Sequence, residues 1–104
     1  MAIVEVSLIP LGTQIPSVSQ YIAQAVQLLQ SEKDIKYELT AMGTIIEGDL
    51  GYLLTLVRKM HEAPFDAGIT RVVTTIKIDD RRDKISSMSS KIESLKTKLI
   101  ELKR

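Results

Sequence analysis

Hydroxyl side chains cluster in the stretch PLGTQIPSVS, residues 10–19, between an apolar, β-branched segment and the first helical pattern of the chain. Thr13, Ser17 and Ser19 supply these hydroxyls, and each can both donate and accept a hydrogen bond. A second candidate is Glu47, which precedes a glycine at the end of a predicted strand, where a buried carboxylate would need a partner. The residue types alone leave two explanations open, helix capping and one wall of a polar pocket.

Residues suited to catalysis or metal binding are sparse. The chain has no cysteine, which excludes a disulfide framework, a zinc knuckle and a thiol nucleophile. Its one histidine, His61, has no acid or serine at a spacing typical of a catalytic triad. The five glycines are spread singly and form no phosphate-binding loop, and the charges that alternate over residues 79–83 favour salt bridges over a metal site. The sequence predicts a binding module, not an enzyme, with no metal and no cofactor.

Length and composition are those of one ordinary globular domain. The chain has 104 residues, of which 44% are hydrophobic and 26% charged. No segment approaches the roughly 18 apolar residues of a membrane span, and the N-terminus is too short and strand-like for a signal peptide, so we expect a cytoplasmic protein.

Charge is unevenly distributed along the chain. Residues 1–76 have five basic and eight acidic side chains, a net of −3, and residues 77–104 have nine basic and five acidic, a net of +4. A basic tail can contact nucleic acid, but only 4% of the residues are aromatic, so no platform for stacking bases is present. A solvated helix face is the better interpretation, and nucleic-acid binding is not expected.

Hydrophobic periodicity predicts six elements before residue 83. Alternating or β-branched runs indicate strands, apolar stripes at helical spacing indicate helices, and Pro10, Gly48 and Pro64 end three of the elements. Strands are predicted at 3–9, 35–39, 44–47 and 70–79, and helices at about 17–31 and from the cap Asp49 to Pro64. The order βαββαβ predicts an α+β, ferredoxin-like sandwich with two helices on one face of a four-stranded antiparallel sheet.

A heptad-like segment follows this unit. Its apolar residues alternate in spacings of three and four, an a/d seam over about two and a half heptads: Ile85, Met88, Ile92, Leu95, Leu99 and Leu102. We therefore expect a ferredoxin-like domain over residues 1–83 and an additional C-terminal amphipathic helix over residues 84–104. Because the seam is too short for a free-standing coiled coil, it packs on its own domain or on another subunit.

The helix-free face of the predicted sheet indicates self-association. Alternation puts Ile3, Ile9 and Val73 on that face, among polar residues such as Glu5 and Lys77. A half-apolar open face on so small a domain favours coverage by another subunit over scattered surface aliphatics. We therefore expect a homo-oligomer.

Strand direction decides where the polar residues meet. We expect the first and third strands to run parallel as central neighbours, so that both enter their helices at one edge, where the second and fourth strands begin. That end would then hold Thr13, Ser17, Ser19, Tyr37, Glu47 and Arg71. Two helix N-termini would point free N–H groups to the same place, which would suit a small polar ligand. Singly, each residue also has a structural explanation, such as capping by Ser17 or core packing by Tyr37.

Three sequence blocks resemble a known family. SLIPLGT followed by SVSQYI, then YELTAMGTIIEGD, then RVVTTIKIDDRRD, resemble the signature blocks of the thiamine-binding protein family, the YkoF-like proteins, over residues 2–83. Residues 14–16, between GT and SVS, and a longer heptad-like tail are departures from the pattern. The resemblance implies a ferredoxin-like fold, dimers of dimers, and non-catalytic binding of thiamine or its hydroxymethylpyrimidine half.

The resemblance also implies residue roles. Glu47 would accept a hydrogen bond from the amine of an aminopyrimidine, and hydroxyls would serve the rest of its edge: Thr13, Ser17, Ser19 and Thr44. Thr44 joins this set only through the MGT of the second block, because alternation puts it near the hairpin, away from Glu47. The alternative function is a protein-interaction or regulatory module, in which the polar residues only cap and the apolar sheet face and tail bind another protein.

Overall fold

The computed structural model describes residues 1–12, 19–83 and 88–102, and its elements follow the predicted order. The strands are β1 (Ala2–Leu11), β2 (Lys36–Thr40), β3 (Gly43–Gly48) and β4 (Arg71–Asp80), and the helices are α1 (Ser19–Gln30), α2 (Leu50–Asp66) and α3 (Met88–Leu102). The sheet has the order β2-β3-β1-β4, and every neighbouring pair is antiparallel. The predicted ferredoxin-like α+β fold with an additional C-terminal helix is confirmed.

Alternation along β1 divides the sheet into two faces. Val4, Val6 and Leu8 are buried beneath the helices, whereas Glu5 and Ile9 are exposed on the opposite side. Cross-strand pairing extends the buried row to β3, and α1 and α2 complete a core whose fully buried members include Leu29, Ile46, Leu53, Leu56 and Met60. The two faces therefore follow directly from the period of two in the strand sequence.

The predicted parallel pairing of the first and third strands is wrong. β1 and β3 are antiparallel, with Ala2 opposite Gly48 and Val6 opposite Thr44. The crossover through α1 leaves β1 and β2 running in the same direction, and the β2–β3 hairpin then reverses the chain. Because β3 lies between β1 and β2, it is antiparallel to both. The C-terminal end of β1 therefore lies beside the start of β3, not beside its end.

The boundaries of α2 follow from local chemistry, with one difference from prediction. Asp49 caps the helix as expected, since its Oδ2 accepts a hydrogen bond from the Tyr52 N–H at 3.2 Å. Pro64 lies inside α2 instead of ending it, and the helix continues to Asp66. The chain reverses at Gly68, whose φ of 96° belongs to the region that favours glycine.

Helix α3 contributes no buried residue to the core. The predicted seam residue Ile85 lies outside the described residues. The part of the seam that the structure describes is largely uncovered within the chain, with Ile92 45%, Leu95 59% and Leu99 49% exposed. One ion pair, from Lys91 to Asp79, joins the helix to the end of β4. Neither α3 nor any other helix within the described ranges is long and apolar enough to cross a membrane.

Candidate functional site

A groove of about 640 Å³ lies between α1 and the β2–β3 hairpin, mainly on the face of the sheet that carries the helices, and it is also bordered by Ser7 and Ile9, which alternation assigns to the opposite face. It exists because α1 packs against α2, while α2 is the helix that covers β1, β3 and β4. The side of α1 toward the hairpin is consequently separated from the sheet by open space. The lining residues are Val6, Ser7, Leu8, Ile9, Ser19, Ile22, Ala23, Val26, Gln27, Gln30, Leu39, Thr40, Ala41, Met42, Gly43 and Thr44.

The floor of the groove is apolar with one polar group. Val6 and Leu8 come from β1, and Thr44, the cross-strand neighbour of Val6, comes from β3. Thr44 is only 5% exposed. Its hydroxyl makes no hydrogen bond with the described residues, yet every fully buried polar side-chain atom among them has a partner. The hydroxyl is therefore accessible from the groove, where it can orient the polar edge of a ligand.

Helix α1 forms one wall of the groove. Its residues recur at helical spacing, so Ala23, Val26 and Gln30 lie on one side of the helix. Gln27 and Gln30 are exposed, and their side-chain amides offer both donors and acceptors. Ser19 lies at the N-terminal end of the same wall. This wall provides apolar contact area and uncharged hydrogen-bonding groups.

The opposite wall is the hairpin, whose tip is held by Thr40. The Thr40 Oγ1 accepts hydrogen bonds from the N–H groups of Met42 and Gly43, at 3.2 and 3.1 Å, and donates to the Gly43 carbonyl at 2.8 Å. This arrangement fixes the turn beside the groove. Leu39 and Met42 line the groove although they are 61% and 83% exposed. They form an apolar rim, available to cover a flat ring.

The groove contains part of the predicted set of binding residues. Ser19 and Thr44 line it, and Thr13 and Ser17 lie outside the described residues. Arg71 begins β4 opposite Leu11, at the groove end of the sheet but on its helix-free face. Thr44, which the predicted convergence excluded, is thus a central residue of the groove.

Glu47 and Tyr37 lie at the end of the sheet opposite to the C-terminal end of β1, so their predicted convergence with Ser19 is wrong, whereas their relation to Thr13 and Ser17 lies outside the described residues. Glu47 is paired with Ile3 and Lys36 on the helix-free face, and Tyr37, 38% exposed, is on the helix-bearing face opposite Ile46. The antiparallel direction of β3 is the physical reason, because it carries Glu47 away from the C-terminal end of β1. Any contact of Glu47 or Tyr37 with a ligand remains a prediction.

The carboxylate of Glu47 is itself unusual. The residue is 3% exposed, but its carboxylate forms no hydrogen bond or ion pair with residues in the described parts of the chain. As with the Thr44 hydroxyl, its oxygens therefore keep some access to solvent. Thr44 and Glu47 are two accessible polar groups on β3, but only Thr44 faces the groove.

Sequence reasoning missed the glutamines of α1 and the rim residues Leu39 and Met42. The signal that could have found them is an absence of charge: the chain has no charged residue from Val6 to Ser31, although 26% of its residues are charged. A surface helix usually carries charges on its solvent side. An uncharged, glutamine-rich α1 is therefore a feature that points to the groove.

The charged segment at the end of β4 and the histidine of α2 have structural partners. Arg81 binds Asp83 with an Nε–Oδ1 distance of 2.6 Å, and Arg82 binds Asp80 with an Nη2–Oδ2 distance of 2.9 Å, which confirms salt bridges in this segment. The hydrogen bond to Asp83 raises the pKa of the Arg81 guanidinium. The Nδ1 atom of His61 is 2.6 Å from the Thr74 Oγ1. Across residues 1–12, 19–83 and 88–102, no group of three acidic or histidine side chains could hold a metal ion.

Comparison with known proteins identifies relatives over most of the chain. Residues 4–96 match the thiamine-binding protein family. The UPF0045 protein YqgV of Bacillus subtilis is 52% identical over 98 residues, which is 91% of this chain and 94% of that protein. A UPF0045 protein of Methanothermobacter thermautotrophicus is 45% identical over 100 residues, 95% of this chain and all of the relative.

Solved structures share the fold. The hypothetical protein MJ1052 of Methanocaldococcus jannaschii superposes with a TM-score of 0.82 at 37% identity, covering 90% of this chain and 94% of that one. TM0486 of Thermotoga maritima, described as a "putative thiamine biosynthesis/salvage protein", has a TM-score of 0.74 and covers 90% of this chain and 97% of its own. At 19% identity, that likeness shows the fold alone.

Proposed function

Because the chain belongs to the thiamine-binding protein family, we propose that it is a non-catalytic binding protein for thiamine or its hydroxymethylpyrimidine half, held in the groove between α1 and the β2–β3 hairpin. The observation that carries this proposal is the accessible Thr44 hydroxyl on an otherwise apolar floor. The description of TM0486 as a thiamine biosynthesis or salvage protein is compatible with a ligand of this class.

The groove and an aminopyrimidine are chemically compatible. The volume of about 640 Å³ falls within the roughly 300–1,000 Å³ typical of small-molecule sites. A flat ring would lie between the apolar rim of Leu39 and Met42 and the α1 wall. Its amine and ring nitrogens require both acceptors and donors, which the Thr44 hydroxyl and the amides of Gln27 and Gln30 can supply.

In this proposal the group that accepts the hydrogen bond from the ligand amine lies on α1, whereas the sequence resemblance implies that Glu47 is that acceptor. The side-chain carbonyl of Gln27 or Gln30 would accept the hydrogen bond from the ligand amine. Glu47 would contact a ligand only at a separate place on the helix-free face, since it points away from the groove. If the acceptor lies on α1, substitution of Gln27 or Gln30 should weaken binding. If the acceptor is Glu47, substitution of Glu47 should do so.

Calorimetric titration of the full chain with hydroxymethylpyrimidine, and separately with thiamine, tests the proposal. We expect saturable binding of at least one ligand and weaker binding by Thr44→Val, which removes the hydroxyl and keeps the branched shape. Thr75→Val is the matched control, because Thr75 is an exposed strand threonine on the other face of the sheet. Absence of heat with both ligands, or equal weakening by the two variants, would contradict the proposal.

Assembly into a homo-oligomer, as a dimer of dimers, is part of the proposal. It is supported by the uncovered seam of α3 and by Ile9 and Val73, which are 47% and 41% exposed on the helix-free face. A protein-interaction module without a small-molecule ligand is the second candidate, favoured by the same apolar surfaces. Saturable, stoichiometric binding of a small molecule separates the two candidates, because the interaction module predicts none.

A further inference from the structure

The rim of the groove carries an exposed methionine at the tip of the β2–β3 hairpin. Met42 is 83% exposed and at the same time lines the groove. Peroxides oxidise the thioether sulfur of methionine, and the exposure of the side chain governs how readily they reach it. The position of Met42 therefore combines access for an oxidant with a place beside the groove.

The backbone of Met42 is fixed where its side chain leaves the hairpin. The Met42 N–H donates a hydrogen bond to the Thr40 Oγ1 at 3.2 Å, and the same oxygen accepts from the Gly43 N–H at 3.1 Å. Gly43 is itself packed closely on β1, since a Cβ there would lie 2.8 Å from the Val6 carbonyl oxygen. The hairpin tip therefore keeps Met42 beside the groove, whatever the chemical state of its side chain.

The other three methionines of the chain are placed differently, and all of them lie within the described ranges. Met60 is 1% exposed in the core, out of reach of an oxidant in the folded chain. Met1 is 68% exposed but precedes β1, at the end of the sheet away from the hairpin. Met88 is half-buried at the start of α3. None of the three lines the groove, so Met42 is the methionine whose oxidation alters its lining.

Oxidation by hydrogen peroxide converts the Met42 thioether to a sulfoxide. A lone pair of the sulfur attacks one peroxide oxygen, the O–O bond breaks, and a sulfur–oxygen bond forms. The sulfur loses two electrons, and the second oxygen takes the proton of the transferred oxygen and leaves as water. The product carries a hydrogen-bond acceptor where the apolar sulfur was, and methionine sulfoxide reductases reverse the reaction.

The sulfoxide is tolerated in the free protein and disfavoured in the complex. Because Met42 is exposed, water hydrates the sulfoxide oxygen and no core contact is lost. A ring bound against the rim of Leu39 and Met42 displaces that water, and the face of the ring offers no hydrogen-bond donor in return. Desolvating a polar group without a new hydrogen bond is unfavourable. The cost of oxidation therefore falls on ligand binding and not on folding.

We propose that Met42 is a site of reversible oxidation that regulates the groove, so that peroxide lowers the affinity for the bound ligand and reduction of the sulfoxide restores it. This inference rests on the proposed function and adds regulation to the same site. The folded chain then releases its ligand under oxidising conditions and recovers when the sulfoxide is reduced.

Titration of the full chain before and after oxidation tests the regulation. The chain is treated with hydrogen peroxide until mass spectrometry of its peptides shows complete oxidation of Met42 and none of Met60, and it is then titrated with hydroxymethylpyrimidine and, separately, with thiamine. We expect the affinity to fall about five- to tenfold, the free energy of unfolding to stay unchanged, and methionine sulfoxide reductase to restore the affinity.

The outcomes separate the regulation from the proposed function. An oxidised chain that binds as tightly as the untreated chain would overturn the regulation and leave the proposed function standing. A loss of affinity accompanied by a loss of stability would also overturn it, because the effect would then lie in the fold. An untreated chain that binds neither ligand would overturn the proposed function and the regulation with it.

Two leucine variants assign the effect to one sulfur. Met42→Leu removes the thioether at the rim, so its affinity should be the same before and after peroxide treatment, although Met1 and Met88 remain oxidisable. Met88→Leu is the matched control, because it keeps Met42 and should lose affinity on oxidation as the wild type does. A loss of affinity in peroxide-treated Met42→Leu, or no loss in peroxide-treated Met88→Leu, would contradict the proposal.

Protection by the ligand gives a second readout. A ring that covers the rim should slow the oxidation of Met42 by peroxide and leave the oxidation of Met1, at the other end of the sheet, unchanged. Peptide mass spectrometry over time, with and without saturating ligand, measures both rates. Equal rates at Met42 with and without the ligand would show that the ligand does not contact this side chain and would overturn the proposal.

Discussion

Thr44 and Glu47 lie three residues apart on β3 and on opposite faces of the sheet. Thr44 is paired with Val6 beneath the groove, and Glu47 is paired with Ile3 on the helix-free side. Both are at least nine-tenths buried, and both keep an accessible polar group. A ligand in the groove can reach one of them and not the other.

The first prediction concerns the Thr44 hydroxyl. Thr44→Val should weaken binding about three- to tenfold, because a neutral hydrogen bond contributes about 0.5–1.5 kcal/mol. Thr44→Ser keeps the hydroxyl and should retain most of the affinity. Calorimetric titration of the three proteins with hydroxymethylpyrimidine measures the effect. Equal affinity of the valine and serine variants would remove the hydroxyl from the site.

The second prediction concerns Glu47. Glu47→Gln should leave ligand affinity unchanged within twofold, since the side chain is on the face away from the groove. The same titration measures it, with Thr44→Val as the variant expected to respond. A tenfold loss on Glu47→Gln, together with no effect of Thr44→Val, would place the ligand on the helix-free face and contradict the groove.

The third prediction concerns the glycine at the start of β3. A Cβ added at Gly43 would lie 2.8 Å from the Val6 carbonyl oxygen, a backbone atom that cannot move aside freely. Gly43→Ala should therefore lower the free energy of unfolding by about 1–3 kcal/mol, measured by chemical denaturation.

Gly51→Ala is the matched control for that experiment. The nearest atom to a Cβ at Gly51 is the Asp49 Oδ2 at 3.5 Å, an ordinary contact, and the position lies in the first turn of α2. Alanine there should raise stability by up to about 1 kcal/mol, because it restricts the unfolded chain and favours the helix. A stabilising effect at both positions would show that the approach of Gly43 to β1 is looser than described.

The fourth prediction concerns the seam of α3. Leu95→Glu places a charge in the seam, and Leu95 is 59% exposed in the single chain. If another subunit covers the seam, the variant should lower the mass in solution, measured by light scattering at matched concentrations. Ser94→Glu, at the neighbouring exposed position, is the control. An unchanged mass for Leu95→Glu would show that the seam is not the contact between subunits.

Periodicity along the strands predicted the fold and both faces of the sheet. Val4, Val6 and Leu8 alternate with polar or exposed positions in the sequence, and the structure buries them as that alternation requires. Alternation does not report strand direction, which explains how Glu47 was assigned to the wrong end. The order of the elements does determine the direction of β3, because a crossover followed by a hairpin makes β3 antiparallel to β1.

The groove itself could not be predicted from periodicity. It depends on α1 packing against α2 and leaving space toward the hairpin, a tertiary arrangement that a stripe of Ala25 and Leu29 does not encode. The resemblance to a family identified Thr44 as a candidate binding residue. Gln27, Gln30 and Met42 were identified only from the structure, as residues that line the groove. The uncharged run from Val6 to Ser31 was the one sequence feature that marked this surface.

The hydrogen bonds of Thr40 have a kinetic consequence. Because the hairpin tip is already tied by its own backbone and side-chain bonds, this wall of the groove has no ordering step to complete when a ligand arrives. Ligand association should therefore be limited by diffusional encounter. It should show a single kinetic phase whose observed rate is proportional to ligand concentration. Thr40→Val would free the tip and introduce a slower conformational step, so that the observed association rate would level off at high ligand concentration. The change should appear mainly in the association rate constant.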